Sequence, residues 1–154
     1  MTNNDIIRQI RYIFDYKDSK MIEIFESAGF KVTRSQISDW LKKEDHPTYV
    51  EISDNELANF LNGLINDRRG KKEGPPMIPE NRLNNNIIFR KIRIALNLKD
   101  DQIIEIMSLV DMRISKAELG AFFRKPSHRK YMLCKDQFLR NFLHGLQKKY
   151  RKDI

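Results

Sequence analysis

Cysteine occurs once, at Cys134, so no disulfide can form within the chain and packing alone must hold it together. No apolar run approaches the ~20 residues of a membrane-spanning helix. The opening MTNNDIIRQI has no basic stretch followed by an apolar one, so no secretory signal is expected. These three absences lead to the expectation of a cytoplasmic protein without a membrane partner. Also missing are a Gly-rich phosphate loop, a GxSxG elbow and an HExxH pair. His46, His128 and His144 are scattered along the chain, whereas zinc wants three or four ligands at close spacing. Cys134 has no Cys/His/Asn arrangement around it that would make it a nucleophile. Neither catalysis, nor a metal, nor a cofactor is therefore expected. Nothing alternates with period two for long enough to make a sheet. Glycine and proline are scarce, and Gly70, Gly74, Pro75, Pro76 and Pro79 crowd into one short segment.

What is present is a repeat. A shift of 82 positions superposes Asn3-Asn4 on Asn85-Asn86 and Arg11 on Arg93 without a gap. The same shift pairs Lys17-Asp18 with Lys99-Asp100, His46 with His128, Tyr49 with Tyr131, and Asn59-Phe60-Leu61 with Asn141-Phe142-Leu143. Roughly a third of the paired positions are identical, far above chance for a gapless register. The predicted organisation is a first repeat over 1–67, a Pro/Gly-rich basic linker over 68–84, and a second repeat with a basic tail over 85–154. Each repeat reads as four helices. Ile6, Ile7, Ile10, Ile13 and Phe14 form an apolar stripe at helical spacing. Asp18 is expected to cap a second helix that ends at Gly29, Thr33-x-x-Gln36 to open a third, and Ser53-x-x-Glu56 a fourth. The fold class predicted is all-α, two tandem four-helix modules packed with pseudo-twofold symmetry. A module of half this length would be marginal alone, so the two should share apolar surface.

Recurring polar residues suggest internal ties. Arg11 with Glu23, and Arg93 with Glu105, are expected to pair helix one with helix two; an anion site at both arginines is the alternative. His46 and His128 are each expected to pin a loop together with the Tyr three residues on, and His144 to be unpaired. Asn59 and Asn141 are expected to bond a neighbouring helix end or loop. Gly63 and Gly145, costly in a helix interior by about 1 kcal/mol each, imply close helix approach. Cys134 takes the place of Ile52 and should be a small apolar residue.

Charge is uneven. Residues 1–74 hold 12 Lys+Arg against 13 Asp+Glu, and residues 75–154 hold 17 against 8, so the whole excess lies in the second half. Such asymmetry invites a polyanion. The strongest cluster is RKPSHRKYM, where Arg124, Lys125, His128, Arg129 and Lys130 would hold phosphates and Tyr131 would stack a base, with the tail KKYRKD behind it. Residues 21–43 also read as a helix-turn-helix, and the twin segment offers Arg113 and Lys116 to a groove. The leading expectation is nucleic-acid binding or regulation through the basic second repeat. A protein-interaction adaptor, using a groove between paired helices, is the alternative.

The segments NNDIIRQIRYIF and NNNIIFRKIRIAL, with WLKKED, FLNGLINDRRGK and HRKYMLCKDQFLRNFLHGL, resemble the bacterial YehS-like proteins, a domain-of-unknown-function family numbered 1456. The resemblance covers essentially the whole chain. It implies a tandem-repeat helical cytoplasmic protein and brings no activity, substrate or catalytic residue with it.

Overall fold

A computed structural model describes residues 1–151. It contains α1 (Asn3–Phe14), α2 (Asp18–Ser27), α3 (Arg34–Leu41) and α4 (Asp54–Arg69), then α5 (Asn85–Leu96), α6 (Asp100–Ser108), α7 (Lys116–Phe122) and α8 (Asp136–Tyr150). Among the described residues there is no strand. No helix among them is long and apolar enough to cross a membrane.

Local chemistry sets most helix ends. Thr33 with Gln36, Ser53 with Glu56 and Ser115 with Glu118 form the expected reciprocal capping boxes, and Thr2 with Asp5 adds another. Each satisfies two of the amide donors that a helix start leaves open. Asp15 and Asn97, at matching positions, close α1 and α5 in the left-handed conformation that short polar side chains tolerate. Gly29 takes a positive φ after α2, as expected; its counterpart Asp111 does the same in the second module.

Three expectations need correction. Asp18 and Asp100 are not caps; Lys17 and Lys99 occupy the N-cap positions. The aspartates instead take the arginines, Arg11 Nη2–Asp18 at 3.2 Å and Arg93 Nη2–Asp100 at 2.8 Å. The left-handed turn after α1 folds the first residue of α2 back beside Arg11, while Glu23 lies on the solvent side more than a turn further on. Arg11 Nε also donates to Tyr16 O (3.0 Å) and Arg93 Nε to Leu98 O (3.1 Å). Both arginines thus clamp the α1–α2 and α5–α6 corners, which leaves the anion-site alternative without free donors on those atoms. The asparagines also differ from expectation: Asn59 donates to Asn55 O of its own helix, and Asn141 accepts from Gln137.

Buried apolar side chains of both modules form a single cluster. In the first, Phe25 is ringed by Phe30, Trp40 and Phe60. In the second, Phe89 is ringed by Phe122, Phe123, Phe138 and Phe142. The central ring therefore comes from α2 in one module and from α5 in the other. The pairs Ile7/Phe25 and Phe89/Met107 exchange one large side chain for another between matching positions, which conserves core volume.

The modules close on each other by a repeated exchange: α4 lies on α5, and α8 lies on α1. Matching bonds recur at both contacts. Arg69 Nη1 donates to Ile94 O at 3.0 Å, and Arg151 Nη1 to Tyr12 O at 2.6 Å. Leu83 N donates to Asp54, and the Met1 amino group to Asp136. This is the pseudo-twofold relation. It is imperfect, because α4 is buried over nine consecutive residues, Leu57 to Ile65, whereas Arg140 and His144 leave one face of α8 exposed. The α4–α5 side also holds a buried polar contact that its counterpart lacks: Lys91 Nζ reaches Asn62 Oδ1 (2.6 Å) and Glu80 (3.0 Å). Glu80 belongs to the linker, which carries no helix or strand from 70 to 84 and is fastened to the first module at Glu80 and Leu83. Arg68 and Arg69 are the last turn of α4.

One glycine has no such structural role. A Cβ added at Gly120, within α7, would meet nothing within 4 Å. Gly120→Ala is therefore expected to stabilise the protein by about 0.5–1 kcal/mol, through helix propensity and a less flexible unfolded chain. A urea midpoint at or below that of the parent protein would contradict this.

Candidate functional site

The loop between α7 and α8 has the same construction as the loop between α3 and α4. In the second module His128 N donates to Lys125 O, Tyr131 N to His128 O, and Met132 N to Ala121 O. In the first, His46 N donates to Lys43 O, Tyr49 N to His46 O, and Val50 N to Asp39 O. Each His ring pins its own loop, though not through the Tyr as expected: Nδ1 of His128 accepts from Lys130 N (3.0 Å), and Nδ1 of His46 from Thr48 N (3.2 Å). The Tyr49 hydroxyl is buried without a partner.

A buried asparagine anchors each loop to the first helix of its module. Asn86 Nδ2 donates to Phe122 O (3.1 Å) and Met132 O (2.8 Å), while its Oδ1 accepts from Cys134 N (2.8 Å). Asn4 makes the same three bonds to Trp40 O, Val50 O and Ile52 N, at 2.9, 2.8 and 3.1 Å. The preceding residues, Asn3 and Asn85, donate to Asp54 and Asp136 at the starts of α4 and α8, both at 2.7 Å. That bond and the neighbouring amino terminus hold the Asp136 carboxyl below its ordinary range. The doubled Asn-Asn of the sequence is thus a structural clamp, a role that helical periodicity does not reveal. Cys134 sits at the buried position matching Ile52, and burial pushes its thiol up to about 12, so it is protonated and unreactive at neutral pH.

On this common scaffold the charges differ. Residues 124–135 carry Arg124, Lys125, Arg129, Lys130 and Lys135 and no acidic residue; the matching 42–53 carries Lys42, Lys43, Glu44, Asp45 and Glu51. All five cations of the second loop are exposed, as is His128, and Tyr131 is half-buried. Because His128 Nδ1 accepts a backbone N–H, the neutral ring carries its proton on Nε2, the atom facing Arg124 at 3.4 Å. Arg124 therefore has no acceptor there, and its guanidinium remains available.

The structure does not join every expected residue to this loop. Arg113 and Lys116 stand at the opposite end of α7, whose seven residues span about 10 Å. Lys116 Nζ is already paired with Asp101 (3.2 Å). The basic tail lies still further away, beyond the ~22 Å length of α8. There Lys149 leans on the Tyr150 ring and Arg151 is bound to Tyr12 on α1, while Lys152 and Asp153 lie outside the described residues. Three neighbours of the loop cations escaped the sequence reading: Lys135, and the apolar Met132 and Leu133, which are 45% and 62% exposed. The signal was present at Leu133, which replaces the acidic Glu51 of the first repeat with an apolar residue outside any helical stripe. Elsewhere, a shallow depression of about 250 Å³ is lined by Arg11, Asp18, Ser38, Leu41 and Lys42, and its arginine is committed to the corner clamp.

These features define a class: an all-helical protein of two homologous four-helix modules that share one core and carry duplicated loops, one of mixed charge and one wholly cationic. The chain belongs to the family described as protein of unknown function (DUF1456), which it matches twice, over residues 3–70 and 85–152. It is 43% identical over 147 residues to the uncharacterized protein YehS of Escherichia coli (strain K12), covering 95% of this chain and 94% of that protein. No solved structure matches it.

Proposed function

We propose that the protein is a non-enzymatic, cytoplasmic nucleic-acid-binding or regulatory protein that holds phosphates on the loop between α7 and α8. One observation carries this reading: the same loop is built twice, and only one copy is stripped of every acidic residue. The first loop keeps the mixed charge common on a solvated surface, and the second does not. The Asn86 clamp gives the cations a fixed backbone, which lowers the ordering cost of binding. Arg124, Lys125, Arg129 and Lys130 are the phosphate ligands in this reading, with Tyr131 beside them.

Four neutralised phosphates imply an affinity that falls about a hundredfold between roughly 50 and 200 mM salt. Reversal of Arg124, Lys125, Arg129 and Lys130 to Glu is expected to abolish a gel shift while leaving the thermal midpoint nearly unchanged, since these side chains make no core contacts. Retention of the shift by that variant would dismiss the loop as the contact.

An adaptor is the second reading, and a different surface favours it. Met77 and Ile78 stand exposed in the linker, Ile78 at 87%. In this reading the two side chains are the apolar part of a protein contact, set on a linker that carries no helix or strand. Such an association would be insensitive to salt and would be lost on Met77→Ser with Ile78→Ser.

A further inference from the structure

The same loop carries a feature that charge alone does not explain. Met132 and Leu133 follow directly on Arg129, Lys130 and Tyr131, and both are exposed. Their backbone is held at each side, Met132 N to Ala121 O (3.2 Å) and Cys134 N to Asn86 Oδ1 (2.8 Å), so the two side chains are displayed from a fixed frame. We infer that the occupant of this loop is a single-stranded nucleic acid, whose phosphates meet the cations and whose unstacked bases lie against Tyr131, Met132 and Leu133. The inference rests on the phosphate-binding reading above and narrows it.

Duplex readout fits this site poorly, for three reasons. A groove-reading helix presents the residues of its N-terminus to base edges. Here α7 has only seven residues, the Glu118 amide is taken by Ser115 Oγ, and Glu118 places a carboxylate in that first turn. Lys116, the cation nearest that end, is bound to Asp101. Finally, a duplex hides its base faces in the stack and offers mainly phosphate and sugar to a surface loop, so Met132 and Leu133 would remain in water. A single strand exposes those faces, and apolar or aromatic contact with them adds to the phosphate attraction without demanding a sequence.

The test is a fluorescence-anisotropy titration of the whole protein with a labelled oligonucleotide, offered single-stranded as DNA and as RNA, and annealed to its complement. Single strands are expected to bind at least about tenfold more tightly than the duplex. Met132→Ser with Leu133→Ser should weaken single-strand binding about tenfold and leave duplex binding and the salt slope unchanged. Both residues are exposed, so an unaltered thermal midpoint will show the double variant to be folded. Duplex binding equal to or tighter than single-strand binding overturns this inference and leaves the phosphate-binding loop standing. Absence of binding to every oligonucleotide overturns both. Retention on phosphatidylglycerol vesicles with no oligonucleotide binding also overturns both, and would assign the loop to an anionic lipid surface.

Discussion

Gly63→Ala is expected to lower the stability of the protein by about 3 kcal/mol, although alanine is the better helix former by about 1 kcal/mol. Where α4 crosses α2, a Cβ at position 63 would stand 2.0 Å from the carbonyl oxygen of Ile24 and 2.8 Å from its carbonyl carbon. Those are backbone atoms of a helix and cannot rotate aside, so the two helices must move apart. Separation would also stretch the contacts that depend on close approach: Ser27 Oγ to Gly63 O (3.3 Å), Asn66 Nδ2 to Ser27 O (3.1 Å) and the Lys20–Asp67 pair (2.5 Å). Overpacking of a dense core costs about 1–3 kcal/mol and sometimes more, which exceeds the gain in helix propensity. The matching glycine gives a graded control. At Gly145 the added Cβ would lie 2.6 Å from Ile106 O and 2.7 Å from Ile106 Cγ2, and the second of these can rearrange. Urea titrations of the three alanine variants should therefore rank Gly63→Ala below Gly145→Ala, and both below Gly120→Ala. A Gly63→Ala midpoint equal to that of the parent protein would show that the helices do not touch there.

Asn86→Ala should cost a similar amount for a different reason. The side chain is 5% exposed and makes three hydrogen bonds to the loop backbone. Its removal leaves two carbonyls and one N–H without partners in or near the core, at about 1–3 kcal/mol for each group that water cannot reach. A total of about 3–4 kcal/mol is expected, and likewise for Asn4→Ala in the first module. Asn86→Asp should do no better, since a carboxylate would face the carbonyls of Phe122 and Met132 where the amide donated to them. Only one of the two alanine variants should alter ligand binding. Asn86 holds the cationic loop and Asn4 the mixed-charge one, so Asn86→Ala should weaken oligonucleotide affinity at a temperature where both variants remain folded. Equal affinities for the two would detach the clamp from the binding loop. A stability change below about 1 kcal/mol would mean that water replaces the lost bonds.

The clamp also shows why part of the site could not be read from the chain. Asn4 and Asn86 stand in apolar helices and were noticed only because they recur. Their partners lie 36 to 48 residues away, and no local rule connects them. The arginine partners were misassigned for a related reason: spacing along the chain named Glu23 and Glu105, while the left-handed turns at Asp15 and Asn97 brought Asp18 and Asp100 closer. The loop cations, by contrast, are contiguous in sequence, so their clustering was legible. What sequence could not say is that Lys116 lies beside Asp101 and that α7 and α8 hold Arg113 and the tail away from the loop.

The amino-acid sequence by itself determined the helices among the described residues, most of their capping boxes, the twofold repetition and the excess of cations in the second half. All of these follow from interactions among residues within a turn or two of one another, or from counting. Only the tertiary structure decided that α4 would be the buried helix while its twin α8 keeps an open face. It also decided that the module contact would be an exchange of α4 with α5 and α8 with α1, and which helices Gly63 and Gly145 would bring together. Those outcomes depend on which surfaces meet. Surfaces are chosen by the shape and volume of side chains distant in sequence, which helical periodicity cannot encode.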